Sequence, residues 1–526
     1  MQPKVVVAEK ISESGLAALA ESCDVDVAVG VERAELMGRL ADAAGLVVRS
    51  ATDVDAELIA AAPALRVIGR AGIGVDNIDV DAATEAGIIV VNAPQANIIS
   101  AAEHALALLL SQARNVARAD ATLRSGVWDR SGFEGVELHG KTLGVVGLGR
   151  IGTLVAQRAL AFGMHLIAYD PYVSVERARR LGVELVDLDT LLEMADFVTI
   201  HLPKTPDTAG LIGKEALAKV KPGVRIINAA RGGILDEDAL AEAIRDGRVA
   251  GAGLDVYANE PLTESPLFDL PGVVMTPHLG ASTAEAQDKA GTDVATAVAA
   301  ALRGELVMSA VNIDLGSSVP DDVAELLPVA EHLGQVFTAL AGGLPDRLIV
   351  RAAGRVGAGE TRPVTLAVLR GAISVVSSRA VTYVNAPALA EQHGMTVDQE
   401  TSDVVEDYQS VIGVRGIVGG REVSVSATRS RKGPVLVEIM GHDVELPVSS
   451  RMLIVRNSDV PGVIGRLGSF LGDLGVNIAN MVVGREPGTD NAAMMGLNLD
   501  DPLTEGQLAE LRRLEGITEA RYVSLV

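Results

Sequence analysis

Three side chains between residues 228 and 283 have the types that acid–base chemistry on a hydroxy acid needs: Arg231, Glu260 and His278. Removing hydride from an alcohol beside a carboxylate requires a cation for the carboxylate, a base for the hydroxyl proton, and a partner that orients this base. Arginine offers a planar fork, histidine titrates near neutrality, and a carboxylate on the second ring nitrogen sets the tautomer. Taken singly, each residue is equally well explained as a surface ion-pair partner or a loop residue.

A glycine-rich turn precedes these residues in the chain. The run "VVGLGRIG" places Gly147, Gly149 and Gly152 after an apolar strand and at the start of a helix, and a later strand ends in Asp170. This context favours a dinucleotide site, in which the helix N-terminus faces the pyrophosphate and the acid bonds the ribose. Because an acid repels a 2′-phosphate and no basic residue follows directly in "DPYVSVER", NAD is favoured over NADP. The alternative is a structural turn with a surface aspartate.

Alternating strand and helix patterns predict how these residues are positioned. Short β-branched runs separated by alanine-rich stretches extend from Lys4 to about Asn92, and a second series begins at "KTLGVVGLGRIG". We therefore expect an α/β protein with two doubly wound, Rossmann- or flavodoxin-like units in series. A single long helix is predicted from about Ser100 to Ser125. A second long helix, after Ser282 to about Gly304, would return the chain to the first unit and make that unit discontinuous.

The C-terminal part has a different organisation. The stretch "SAVNIDLGSSVPDD" (309–322) is the best linker candidate. The patterns in residues 320–450 predict an α+β domain with antiparallel strands. The last segment has the pattern β-α-β-β-α-β, which predicts a small ferredoxin-like domain. The predicted domains are substrate-binding (1–97 plus 285–313), NAD-binding (98–284), intervening (314–450) and regulatory (451–526).

Composition narrows the functional class. The 526 residues carry a net charge of −24, which disfavours nucleic acid and anionic membrane surfaces as partners. We expect no membrane span, because the most apolar helical stretch, "HALALLLS", is short, and no signal peptide. The single cysteine, Cys23, excludes an internal disulfide and a CxxC metal site. A cytoplasmic protein without a metal site is therefore predicted.

The motifs "GLGRIG", "NAARGGILDEDAL", "LDVYANEP" and "TPHLGAST", in this order, resemble the D-2-hydroxyacid dehydrogenases. The resemblance implies that Arg231, Glu260 and His278 are the catalytic trio. It implies NAD contacts at Gly147, Gly149, Arg150, Ile151, Gly152, Asp170, Thr205, Ala229, Ala230, Arg231, Asp255, His278 and Gly280. It further implies that the first unit closes over the substrate, with contacts at Arg49, Ser50, Gly72, Gly74 and Asn97.

The last segment resembles the ACT family of amino-acid-sensing domains, through "RNSDVPGVIGRLGSFLGDLGVNIANM". Asn457, Asp459 and Asn477 match the serine contacts of that family; without the match, they would be explained as polar turn residues.

The full arrangement resembles the long-form branch of the D-2-hydroxyacid dehydrogenases, which oxidises D-3-phosphoglycerate, begins serine synthesis, is inhibited by L-serine and forms homotetramers. In this branch, basic residues hold the substrate phosphate, and the resemblance implies this role for Arg130. An acidic residue, Asp129, lies in the same turn. Its intervening domain can carry a second effector site, for which the basic run "TRSRKGP" (Arg429, Arg431, Lys432) is a candidate; a solvated hairpin tip is the favoured interpretation. The alternatives are a dehydrogenase of another D-2-hydroxy acid, such as glycerate or 2-hydroxyglutarate, and an NAD-sensing corepressor.

Overall fold

The structure is a computed structural model that describes residues 2–313, 315, 321–485 and 492–525, with side chains omitted at 321 and 322. Within these residues the chain forms four β-sheets flanked by helices. The predicted linker (309–322) falls partly outside the described residues, at 314 and 316–320. No helix in the described part has the length and apolar character needed to span a bilayer.

The first unit is a parallel sheet of order β2-β1-β3-β4-β5, the flavodoxin-like order. Its strands are β1 (Lys4–Val7), β2 (Asp24–Val27), β3 (Gly45–Val48), β4 (Val67–Arg70) and β5 (Ile89–Asn92). Its helices are α1 (Glu13–Ala20), α2 (Arg33–Leu40), α3 (Ala56–Ala60) and α4 (Val80–Glu85). The apolar runs form the strands because both faces of the sheet are covered by helices.

The chain leaves the first unit through α5 (Ile98–Arg114) and α6 (Val116–Arg124). The prediction of one helix from Ser100 to Ser125 is wrong, because Asn115 adopts a left-handed conformation with φ of 54° and breaks the helix. Asparagine tolerates this conformation better than most residues.

The second unit is a parallel sheet of order β12-β11-β10-β9-β6-β7-β8. Its strands are β6 (Thr142–Val146), β7 (His165–Tyr169), β8 (Glu184–Leu185), β9 (Phe197–Ile200), β10 (Val224–Asn228), β11 (Val249–Leu254) and β12 (Val273–Met275). Its helices are α7 (Arg150–Ala161), α8 (Val175–Arg180), α9 (Leu188–Met194), α10 (Lys214–Lys219) and α11 (Glu237–Arg245), after a 3-10 turn at Ser131–Phe133.

The long helix α12 (Ala284–Leu302) runs from the second unit back to the first. Val294 and Val298 of this helix lie against Gly69 of β4, where an added methyl group would come within 2.7 Å of both valines. The two parallel sheets, each covered by helices, confirm the predicted α/β fold class with two doubly wound units.

The intervening region contains a mixed sheet of order β14-β13-β15-β16-β17-β18, in which only the β13–β14 pair is parallel. The strands are β13 (Arg347–Gly354), β14 (Thr396–Ser402), β15 (Ser410–Val418), β16 (Arg421–Ser430), β17 (Gly433–Ile439) and β18 (His442–Pro447). The helices are α13 (Asp321–Ala324), α14 (Leu327–Ala341), α15 (Arg362–Ser374) and α16 (Ala386–Gln392), with a 3-10 turn at Arg355–Ala358.

The last domain has the predicted β-α-β-β-α-β order and an antiparallel sheet of order β20-β21-β19-β22. Its elements are β19 (Arg451–Ser458), α17 (Val463–Asp473), β20 (Ile478–Arg485), β21 (Ala492–Leu499), α18 (Glu505–Leu511) and β22 (Ile517–Ser524). The helices cover one face of this sheet; on the other face, Gly496 lies against Leu446 of β18.

Candidate active site

His278 and Glu260 form a directly hydrogen-bonded pair. The Nδ1 atom of His278 lies 2.7 Å from Oε2 of Glu260, while Oε1 of Glu260 accepts a hydrogen bond from the backbone N–H of Tyr257 at 2.9 Å. One oxygen of the Glu260 carboxylate is therefore held by a backbone N–H, and the other oxygen contacts the imidazole. Because a carboxylate only accepts, it fixes the Nδ1–H tautomer and leaves Nε2 as a proton acceptor. This is the geometry of a general base with its orienting partner.

The loop that carries His278 is anchored on Asp255, a fully buried carboxylate directly after β11. Oδ1 of Asp255 accepts from the N–H of Leu279 at 2.7 Å, and Oδ2 accepts from the N–H of Gly280 at 2.8 Å. Burial raises the pKa of Asp255, but hydrogen bonds from His104, Thr276 and Leu279 outweigh it, so the pKa is lowered overall. The ionised Asp255 thus holds the loop in place.

Arg231 lines the same cleft as His278 and Glu260. Its turn follows β10, and Nδ2 of Asn228 donates to the Arg231 carbonyl at 3.0 Å. The guanidinium donates to the carbonyl of Ala230 at 2.8 Å and lies 3.7 Å from Asp76 of the first unit. The structure therefore brings all three members of the predicted trio to a single cleft between the two units.

This cleft has a volume of 780 Å³ and is built from both units. The predicted substrate contacts that line it are Arg49, Ser50, Gly72, Gly74 and Asn97. The side-chain oxygen of Asn97 is buried and has no hydrogen-bond partner among the described residues. An unpartnered buried acceptor is costly, so a donor from a bound molecule would stabilise it.

Arg70, at the end of β4, is a cleft residue that the sequence analysis did not identify. Its Nε is buried without a hydrogen-bond partner among the described residues. Burial and the positive charge of Arg231 lower the pKa of Arg70. A bound anion would accept a hydrogen bond from Nε of Arg70 and offset the repulsion between Arg70 and Arg231. The three arginines Arg49, Arg70 and Arg231 therefore suit a substrate with more than one negative charge. The signal in the sequence was a charged residue ending a buried apolar run, "RVIGR".

The glycine turn and Asp170 are arranged as a dinucleotide site requires. An added methyl group at Gly152 would lie 2.0 Å from the carbonyl oxygen of Gly147, so this close approach admits glycine only. The carboxylate of Asp170 accepts from the N–H of Leu148 at 2.8 Å and from that of Tyr172 at 2.9 Å, which places the acid at the turn. Gly149 caps α7, whose first residues are Arg150 and Ile151. These features fit NAD.

A second cavity of 190 Å³ adjoins the cleft at His278 and Arg231. The predicted cofactor contacts that line it are Ile151, Ala229, Ala230, Arg231, Asp255, His278 and Gly280. His201, which was not predicted, also lines it, and burial lowers the pKa of His201 to about 4, so this imidazole stays neutral. Thr205 lies in the adjacent loop, where its N–H donates to Oγ1 of Thr208 at 2.8 Å.

Arg130 is not among the residues that line the cleft. It is exposed, directly before the 3-10 turn Ser131–Phe133, and Asp129 accepts a hydrogen bond from the N–H of Gly132 in this turn at 2.9 Å. Within one chain, the structure therefore does not bring Arg130 to the predicted trio.

Of the three predicted effector residues, Asn457 and Asp459 lie at the end of β19, whereas Asn477 follows α17. Asn457 is buried and its Oδ1 has no partner among the described residues. Asp459 lies 2.9 Å from Nε of Arg485, and Asn477 donates to Asp500 at 2.6 Å. The 11-residue helix α17 lies between Asp459 and Asn477 and spans about 16 Å. Arg431 and Lys432 occupy the tip of the β16–β17 hairpin, and Arg429 pairs with Glu325.

Comparison with known proteins identifies three family matches along the chain. Residues 106–280 match the NAD-binding domain of the D-isomer-specific 2-hydroxyacid dehydrogenases, residues 322–440 the intervening domain of D-3-phosphoglycerate dehydrogenase, and residues 451–516 the ACT domain.

Relatives named D-3-phosphoglycerate dehydrogenase match most or all of the chain. The chain is 52% identical over 481 residues to D-3-phosphoglycerate dehydrogenase of Mycobacterium leprae, covering 90% of each chain. It is 43% identical over 530 residues to the enzyme of Archaeoglobus fulgidus, covering 99% of this chain and 100% of that one. Among solved structures, the TT0316 protein from Thermus thermophilus matches 59% of this chain and 99% of its own, with a TM-score of 0.55 and 37% identity.

Proposed function

The chain belongs to the D-3-phosphoglycerate dehydrogenase family, and from this membership we propose that it oxidises D-3-phosphoglycerate to 3-phosphohydroxypyruvate with NAD, the first step of L-serine biosynthesis. The observation that carries the proposal is the convergence of the His278–Glu260 pair and three arginines on one cleft beside the nucleotide turn. The substrate has a carboxylate and a phosphate, and this cationic cleft complements both.

In the proposed reaction, His278 takes the proton of the C2 hydroxyl on Nε2. Glu260, at 2.7 Å from Nδ1, stabilises the imidazolium that forms. Arg231 holds the substrate carboxylate and so orients C2, while Asn97 is placed to accept a hydrogen bond at the junction of the two cavities. When bound, NAD supplies the acceptor for the hydride that leaves C2. Closure of the first unit over the second would exclude water.

Substrate comparison tests this proposal. NADH production from the purified full chain would be measured with D-3-phosphoglycerate, with D-glycerate and with 2-hydroxyglutarate. We expect the highest kcat/KM for the phosphorylated acid, because D-glycerate leaves part of the cationic cleft unpaired. A higher kcat/KM for either control acid would overturn the substrate assignment while leaving the dehydrogenase class intact.

We also propose that L-serine inhibits the enzyme through the ACT domain. Asn457, Asp459 and Asn477 offer amide and carboxylate groups of the kind that bind an amino acid. Helix α17, about 16 Å long, lies between Asp459 and Asn477 in the chain, so we propose that one serine contacts both residues when they come from two chains.

A homotetramer is proposed on the basis of exposed apolar surface. Helix α6 has no buried residue, and Val116, Leu123 and the following Trp128 are 54%, 55% and 78% exposed. Apolar surface of this extent is typical of an interface between copies. Arg130 lies two residues after Trp128, so this pairing would place it at the interface. The proposal is tested by light scattering on the full chain, where the mass of a monomer or of a dimer would contradict it.

A further inference from the structure

His104 lies behind the catalytic loop, outside both cavities. It is on the inner face of α5, one turn after Ala101, which lines the smaller cavity. Its Nε2 lies 3.1 Å from Oδ1 of Asp255 and 3.0 Å from Oγ1 of Thr276. Because a carboxylate can only accept, Nε2 carries a hydrogen and donates to this pair.

Asp255 accepts hydrogen bonds from several residues of the loop that carries His278. Its Oδ1 accepts from Oγ1 of Thr276 at 2.6 Å and from the N–H of Leu279, its Oδ2 from the N–H of Gly280, and its backbone carbonyl from the N–H of His278 at 2.9 Å. The loop on both sides of His278 is therefore held by a single residue.

A fully buried carboxylate is stable only if each of its oxygens is well supplied with donors. Of the donors that Asp255 has among the described residues, His104 is the one that lies outside the 276–280 loop. It thereby ties the carboxylate to α5, the helix through which the chain passes between the two units.

We infer that His104 is a positioning residue for the dehydrogenase reaction, which holds Asp255 and Thr276 so that the 276–280 loop presents His278 to Glu260 and to the substrate. The inference rests on the proposed function for its kinetic consequence, and it has a spectroscopic consequence that does not depend on turnover. His104 touches neither cavity, so it acts through Asp255 and Thr276.

Kinetics of variants provide the first test. His104→Leu removes the donor, and we expect kcat to fall about tenfold to 10²-fold, the range that a misplacement of about 1 Å produces. His104→Gln keeps an N–H donor and should recover most of the activity. Glu103→Gln is the matched control, because Glu103 is the preceding residue of α5, is exposed and has its nearest cation, Arg158, at 4.0 Å. A kcat for His104→Leu equal to that of wild type would overturn the inference.

A spectroscopic test separates positioning from general stability. The His278–Glu260 hydrogen bond should give a low-field Nδ1–H proton resonance in histidine-labelled, NADH-bound protein, assigned by its absence in His278→Gln. We expect His104→Leu to weaken or shift this resonance and Glu103→Gln to preserve it. An unchanged resonance in His104→Leu would overturn the inference even if the variant were less stable. This measurement does not depend on turnover, so it remains decisive if D-3-phosphoglycerate is not the substrate. Failure of the proposed function can therefore be told apart from failure of the inference about His104.

Thr276→Val is a second variant in case His104→Leu does not fold. It removes the hydroxyl that lies between His104 Nε2 and Asp255 Oδ1 and leaves the imidazole in place. We expect a fall in kcat and a shift of the same resonance. If Thr276→Val keeps wild-type kcat and resonance, the network does not position His278.

Discussion

At the scale of single residues, His278, the proposed general base, has a backbone conformation that residues other than glycine rarely adopt. His278 has φ of 53°, in the left-handed region, which costs a non-glycine residue about 1–3 kcal/mol. Hydrogen bonds to Asp255 from Thr276 before it, from the N–H of His278 itself and from Leu279 after it hold this conformation. The strained backbone directs the ring toward Glu260, so the position of the base is a property of the loop and not of the histidine alone.

We expect His278→Gln to reduce kcat by about 10²–10⁴-fold, because this is the contribution of general base catalysis. Glutamine cannot take the proton but is close in size to histidine, so NADH affinity measured by fluorescence titration should stay within about twofold. His393→Gln, at an exposed position in the intervening domain, is the control. Full activity of His278→Gln would remove this residue from the mechanism.

Arg70→Lys tests the residue that the sequence analysis missed. Lysine keeps the charge but loses the planar fork, and a hydrogen bond to a charged group contributes about 1.5–3 kcal/mol. We therefore expect KM for the phosphorylated acid to rise about 10- to 100-fold, with KM for NAD unchanged. Arg66→Lys, just before the other end of β4, should leave both values unchanged. A rise in KM for NAD alone would assign Arg70 to the cofactor.

At the scale of elements, the two turns that carry Arg231 and Glu260, both predicted to be catalytic, are packed backbone against backbone. An added methyl group at Gly232 would lie 1.7 Å from the carbonyl oxygen of Tyr257, and Gly232 directly follows Arg231. Since the N–H of Tyr257 also donates to Glu260, this contact sets the distance between Arg231 and the His278–Glu260 pair.

Gly232→Ala must therefore separate the two turns. We expect kcat/KM to fall by about 10²-fold or more, since about 1 Å of misplacement has this effect. Gly38→Ala is a matched control, because nothing lies within 4 Å of the added methyl group in the helical position of Gly38. Steady-state kinetics of the two variants, with melting curves to verify folding, check this prediction. Equal activity of both variants would show that the Gly232 contact does not set the site.

The sequence predicted most of this arrangement, because buried apolar runs mark parallel strands and the ends of such strands meet at one edge. Arg231, Glu260 and His278 were found in this way. Arg70 was not, since it ends an ordinary strand run and its role appears only when the first unit faces the second. The break at Asn115 was also missed, because the apolar periodicity continues across it and one left-handed residue leaves little trace in sequence. The roles of these residues remain predictions.

At the scale of the whole molecule, the C-terminal domains contact the catalytic part through the first unit. Leu446 of the intervening sheet packs on Gly496 of the ACT sheet, and Oγ1 of Thr382 donates to the carbonyl of Gly87 at 3.1 Å. Arg370 donates to the carbonyl of Gly304, at the end of α12. An effector bound at the ACT domain would thus act on the first unit, which lines one side of the cleft, and so on the geometry of the cleft.

The separation of Asp459 and Asn477 leads to a prediction about mixed assemblies. If one L-serine lies between two ACT domains, it contacts Asp459 of one chain and Asn477 of the other. Asp459→Ala and Asn477→Ala should each lose serine inhibition, because no intact site remains in either assembly. A hybrid of these two variants contains one site with both native residues, so we expect inhibition to return in part.

The same two substitutions combined in one chain and paired with wild type provide the control. Every mixed interface of that hybrid has one native and one substituted residue, so serine inhibition should be absent from those interfaces. Hybrids isolated with two affinity tags would be assayed for the ratio of activity with and without L-serine. Inhibition that returns when the substitutions share a chain, and not when they are on different chains, would instead place the serine site within a single ACT domain. Because the 11-residue helix α17, about 16 Å long, lies between the two residues in each chain, we expect the shared site.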